Sequence, residues 1–118
     1  MTDIPLAAYS ALLHSDNVAT VCRALNMYQV AAAYTQLSGG NPLEELADDT
    51  RQVALQILAR PPAPGDTDVP AGFDHVSALN VLTTLAHPED AAAITQATAP
   101  STDPQIQALA RLIHEKLT

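Results

Sequence analysis

Aromatic residues are scarce in this chain: no Trp, one Phe and three Tyr, 3% of the sequence in all. A core built on stacked rings is excluded, and the interior must come from Leu, Ala, Val and Ile. Ala has the highest helix propensity, and its small side chain lets helices approach closely. Cysteine is nearly missing too, since Cys22 stands alone, and an internal disulfide is excluded. Basic residues are the third scarcity. Five Lys and Arg stand against thirteen Asp and Glu, for a formal net charge of -8. Arg23, Arg51, Arg60, Arg111 and Lys116 are too few and too scattered to hold nucleic-acid phosphates. The same deficit argues against binding to anionic membrane surfaces. No apolar run approaches the roughly 20 residues that cross a bilayer. Residues 1–5 lack a basic region leading into a long apolar run, so a cytoplasmic location is expected.

What is present reads as helix. The 118 residues suit a single domain with one core, and 47% hydrophobic against 15% charged residues marks a folding chain. One stretch breaks the pattern. Residues 61–72, with Pro61, Pro62, Pro64, Gly65, Pro70 and Gly72, form a loop with an acidic tip between two helical halves, 1–60 and 73–118. A first helix is expected over 6–13. A second runs from about Asn17 to Leu37, capped by Ser15 or Asp16 and stopped at Gly39-Gly40. Val18, Val21, Cys22, Leu25, Tyr28 and Ala32 make one apolar stripe on it, and Met27, Val30, Tyr34 and Leu37 a second. Two stripes leave little polar surface, which predicts that this helix is central. Helical pieces follow from Asn41-Pro42 and from Asp48 or Asp49 to Leu58, as one kinked helix or two. After the loop, Asp74 is placed to cap a helix, Pro88 opens another, and Thr102 or Asp103 with Pro104 starts the last. There Ile106, Leu109, Ala110, Ile113 and Leu117 keep helical spacing.

The second half has a rhythm. A helix from Val76 to Leu82 runs on to Leu85-Ala86, a turn follows at His87-Pro88-Glu89-Asp90, and Thr102-Asp103-Pro104 leads into Ile106 to Leu112. The segment from Asp49 to Leu58 echoes that helix. The C-terminal 70 or so residues thus resemble HEAT-like repeats, in which an Asp-Pro turn precedes a helix of Val or Ile, Ala and Leu. The resemblance implies stacked helix pairs that present a surface to a protein partner. The repeat spacing is irregular, and residues 1–40 do not fit it. The expected fold class is therefore all-α, as an irregular bundle or a short HEAT-like stack of five to seven helices.

The usual chemistry is missing. His14, His75, His87 and His114 show no paired metal-ligand spacing, and no HExxH occurs. There is no Gly-rich phosphate loop and no GxSxG. Cys22 falls in an apolar stripe, as a small core residue does. Asp66-Thr67-Asp68 begins like a calcium loop but lacks its later Gly and Glu. No enzyme activity, cofactor or metal is expected. Tyr9, Tyr28 and Tyr34 are the polar groups that a ligand pocket between helices would use.

Carboxylates are the remaining signal. Glu44, Glu45, Asp48, Asp49, Asp66, Asp68 and Asp74 crowd between positions 44 and 74, with Arg51 and Arg60 to offset them. On a helix, the pairs 44/48 and 45/49 would cost a few tenths of a kcal/mol in like-charge repulsion. The bland account is capping and loop solvation. The functional account is an acidic surface for a basic protein partner, which charge complementarity would steer and select. These seven residues are the candidate partner-binding set of an interaction module that inhibits or adapts its partner, of antitoxin, immunity or adaptor type. A helical-repeat scaffold binding a peptide or partner helix is the alternative, and a ligand- or metal-binding bundle a third. No nucleic acid or membrane is expected as partner, and a homodimer burying the last helix fits its apolar stripe.

Overall fold

In a computed structural model, residues 6–33, 43–65 and 71–117 are described, and all regular structure among them is helical. Six α-helices occur among them: α1 (Leu6–Leu13), α2 (Val18–Ala33), α3 (Ala47–Leu58), α4 (Phe73–Leu85), α5 (Ala91–Thr98) and α6 (Pro104–Leu117). Short 3₁₀ turns, Glu44–Leu46 and Pro88–Asp90, lead into α3 and α5. No described residue is in a strand. No helix among the described residues is long and apolar enough to cross a membrane.

The architecture is a bundle wrapped around α4. That helix packs against α2, α3 and α6, while α1 rests on α2 and α5 bridges α3 and α6. In a linear repeat array each unit touches only its neighbours; here one helix touches elements from both halves. Ala78, Leu79, Val81 and Leu82 of α4 are at most 1% exposed, and of the whole helix only Thr84 faces solvent. The second helix was expected to be the central one, but it is amphipathic. Its exposed positions Ala19, Arg23, Asn26, Val30 and Ala33 form a stripe down one side. Val30, assigned to a second buried stripe, is 57% exposed; Tyr34 and Leu37 of that stripe lie outside the described residues. Apolar residues all round a helix mark burial, and it is α4 that has neighbours on all sides to bury them.

Helix starts follow local chemistry. Asn17 caps α2, with its Oδ1 accepting the Thr20 N–H at 3.1 Å, and Ser15 Oγ accepts the Asn17 N–H at 3.0 Å. The cap is thus neither Ser15 nor Asp16, because the Asn side chain stands at the position from which the third helical N–H is reached. Asp103 caps α6 through Gln105 N–H at 2.8 Å, with Pro104 as first residue. Asp74, expected as a cap, instead follows Gly72, which occupies the cap position at φ 79°. Between the pieces of the third region there is no break: the 3₁₀ turn runs directly into α3.

The ends of the proline-rich loop are clamped by α4. Asp74 accepts the Ala63 N–H at 3.0 Å, and Gly72 N–H donates to the Ala63 carbonyl at 2.9 Å. His75 Nε2 donates to the Arg60 carbonyl at 2.9 Å. Residues 66–70, the acidic tip of the loop, lie outside the described residues.

Candidate interaction surface

The acidic surface begins where the chain enters α3. Glu44 and Glu45 sit on the 3₁₀ turn, exposed, and neither side chain makes a hydrogen bond or ion pair among the described residues. Asp48, its side chain 77% exposed, stands in the first turn of α3, where a carboxylate suits the positive end of the helix dipole. Asp49 is half-buried and meets His14 of α1, with Nε2 and Oδ2 2.8 Å apart. The structure therefore brings Glu44, Glu45, Asp48 and Asp49 together. It sets Asp74 apart, because that residue is 3% exposed and its carboxylate is occupied by the loop backbone. Asp66 and Asp68 lie outside the described residues.

Beneath this edge lies a pair that spacing did not disclose. Arg51, 8% exposed, sends Nη1 to both carboxylate oxygens of Asp90, at 2.9 and 2.8 Å, and Nη2 to Asp48 at 3.1 Å. Asp90 is itself buried and also accepts the His87 N–H at 2.8 Å. The Asp90 hydrogen bonds, working against burial, hold the Arg51 pKa above its ordinary value. Arg51 Nε is buried without a hydrogen-bond partner in the structure. A signal existed in the sequence: Arg51 occupies the same register as Ala47, Ala54 and Leu58, and a charge on the buried side of a helix implies a buried partner. The pair matters for the surface, since the cation nearest the acidic edge is already matched inside. It also fixes the turn bearing Glu89, which is 74% exposed and adds a carboxylate that the sequence reading left out of the set.

A cleft of about 250 Å³ adjoins the edge, between the α1–α2 turn and α3. Leu13, Val18, Val21, Val53 and Ile57 supply apolar lining, and His14, Asp16, Gln56 and Arg60 supply polar groups. His14 belongs to both places, lining the cleft and bonding Asp49.

The other reactive groups are subdued. Burial raises the Cys22 pKa, with Ser77 hydrogen bonding in the opposite direction, so the thiol stays protonated. Tyr9 is fully buried and pushed up to about 12 by that burial. Thr50 Oγ1 donates to the Leu46 carbonyl at 2.7 Å, which leaves the Tyr9 hydroxyl as donor in the 2.8 Å Tyr9–Thr50 bond. Tyr28 is buried and raised for the same reason. Both tyrosines are core residues, not pocket residues, and Tyr34 lies outside the described residues. No group of three His, Cys, Asp or Glu among the described residues is arranged to hold a metal.

Comparison with protein-family models, curated proteins and solved structures returns no match for this chain.

Proposed function

We propose that this chain is a protein-interaction module whose carboxylate edge receives a basic protein partner and inhibits or adapts it. One observation carries the reading: the Glu44 and Glu45 side chains are exposed and unpaired among the described residues, next to exposed Asp48, which shares Arg51 with buried Asp90. An acidic edge of this kind raises association rate and selects against acidic partners. Antitoxins, immunity proteins and adaptors are the functional classes in which a small acidic helical domain acts this way. The reading includes a cytoplasmic setting and no catalysis.

Glu44→Lys with Glu45→Lys is the test, because both residues are exposed and neither side chain makes a hydrogen bond or ion pair within the described residues. Tagged wild type and variant are exposed to lysate at low and high salt. The reading expects a stoichiometric basic partner, released by salt, whose retention falls about tenfold or more in the variant, a loss of at least 1.4 kcal/mol. Equal retention by the two forms at both salt concentrations would sink it.

A further inference from the structure

The cleft between the α1–α2 turn and α3 is apolar only in its floor. Leu13, Val21, Val53 and Ile57 are at most 7% exposed and belong to the core, so they give a rigid base and little surface. What an occupant would touch is polar. Asp16 stands on the wall made by the turn. Gln56 and Arg60, one helical turn apart, stand on the wall made by α3 and the residues just after it. Asp16 and Arg60 are both exposed, and neither side chain makes a hydrogen bond or ion pair among the described residues. Opposite charges thus line one cleft of about 250 Å³ without pairing across it. Both are carried on fixed backbone. Ser15 Oγ accepts the Asn17 N–H at 3.0 Å, which holds the turn around Asp16. The Arg60 N–H donates to the Ile57 carbonyl at 3.1 Å, and the Arg60 carbonyl accepts from His75 Nε2 at 2.9 Å.

We propose that this cleft binds a free α-amino acid with a polar side chain, its ammonium group on Asp16 and its carboxylate on Arg60. A zwitterion supplies the counter-charge that each wall lacks, whereas a ligand of one charge satisfies only one wall. The guanidinium presents paired N–H donors in the geometry of a carboxylate. A recessed site with an apolar floor strengthens both contacts relative to open surface. The volume admits one small molecule with a few waters, not a folded partner. For the ligand's side chain there remain the Gln56 amide and the Ser15 hydroxyl, whose proton is not used in the bond to Asn17. Aliphatic side chains gain little here, because the floor is already covered by the fold. The carboxylates of the acidic edge take no part, since Asp48 is paired with Arg51 and Asp49 with His14. The site therefore stands apart from the partner reading above.

The test titrates the full chain, ¹⁵N-labelled, with L-glutamine. Three analogues are run beside it: N-acetyl-L-glutamine lacks the ammonium, L-glutamine α-amide lacks the carboxylate, and L-leucine lacks the polar side chain. The expected result is saturable shifts at the amides of His14, Asp16, Gln56 and Arg60, with each analogue bound about tenfold or more weakly. Asp16→Asn should weaken L-glutamine by a similar factor and leave the N-acetyl compound unchanged. Arg60→Gln should weaken L-glutamine likewise and leave the α-amide unchanged. Both side chains are exposed, so the variants keep the fold, and amide positions away from the cleft check that they do. No saturable shift up to about 10 mM ligand, shifts centred away from the cleft, or an analogue bound as tightly as L-glutamine overturns the proposal. A variant that weakens L-glutamine and its matching analogue alike overturns it as well, since the charge would then act through the fold and not on the ligand.

Discussion

Arg51 and Asp90 are the residues on which the structure makes its sharpest demands. Each is charged and nearly inaccessible, so removing one strands the other. Asp90→Ala should cost about 3–5 kcal/mol, whereas replacing both by apolar residues of similar size, Arg51→Met with Asp90→Leu, should recover most of that loss. Urea unfolding of the three proteins reads this directly; a double variant as unstable as the single one would mean that the pair is held for more than charge compensation. Tyr9 gives a second residue-scale prediction, in pH. Its folded pKa is about 12, above the ordinary 10. The native state thus keeps a proton that the unfolded chain releases, and the associated stability is present below pH 10 and lost as pH rises towards 12. A shift of that size corresponds to about 2–3 kcal/mol. Tyr9→Phe should be less stable by about 1 kcal/mol at pH 8, from the missing hydrogen bond to Thr50. It should also lose less between pH 9 and pH 11 (~2 pH units) than wild type does in urea midpoints. Parallel pH profiles would count against the buried hydroxyl as their source.

At the scale of elements, the start of α4 does two jobs. It caps the helix with Gly72 and pins the proline-rich loop through Asp74 and His75. A Cβ at Gly72 would meet only ordinary contacts, Ile106 Cδ1 at 3.6 Å and Pro62 Cβ at 3.8 Å, so the cost of Gly72→Ala is conformational. The left-handed φ of 79° sets it at about 1–2 kcal/mol, and hydrogen exchange at Ala63 and Val76 should rise with it. Asp74→Ala should likewise expose the Ala63 amide to exchange, yet leave binding at the carboxylate edge untouched, because Asp74 is buried away from it. These elements also show what the sequence disclosed. Pro61, Pro88 and Asp103-Pro104 placed the end of α3, the turn before α5 and the start of α6 to within a few residues, because proline breaks and capping are local chemistry; the Gly39-Gly40 stop and the Asn41-Pro42 start lie outside the described residues. Which helix is central was not local. The two stripes of α2 predicted burial, but α4 took the centre because α2, α3 and α6 all pack on it, and such neighbours are set by chain topology. The Arg51–Asp90 pair was hidden for the same reason: 39 positions separate partners that only the packing of α3 near α5 joins.

For the whole molecule, the dominant quantity is a net charge of -8 on 118 residues. The composition made this plain, and with it the absence of a basic patch. The sequence did not show how unevenly the cost is spread. Of the crowded carboxylates, Asp74 is consumed by the fold and Asp49 by His14, while Glu44 and Glu45 remain without a counter-charge. The repulsion should therefore concentrate at the entrance to α3 and respond to salt. Between roughly 10 mM and 1 M NaCl the screening length falls from about 30 to about 3 Å. Over that range wild type should gain thermal stability, and Glu44→Gln with Glu45→Gln should start higher and gain less. Circular dichroism melts of both proteins across the salt series measure the difference. A common gain in both would place the repulsion in the rest of the acidic surface, and the edge would then lose its claim to be the most strongly charged part of the molecule.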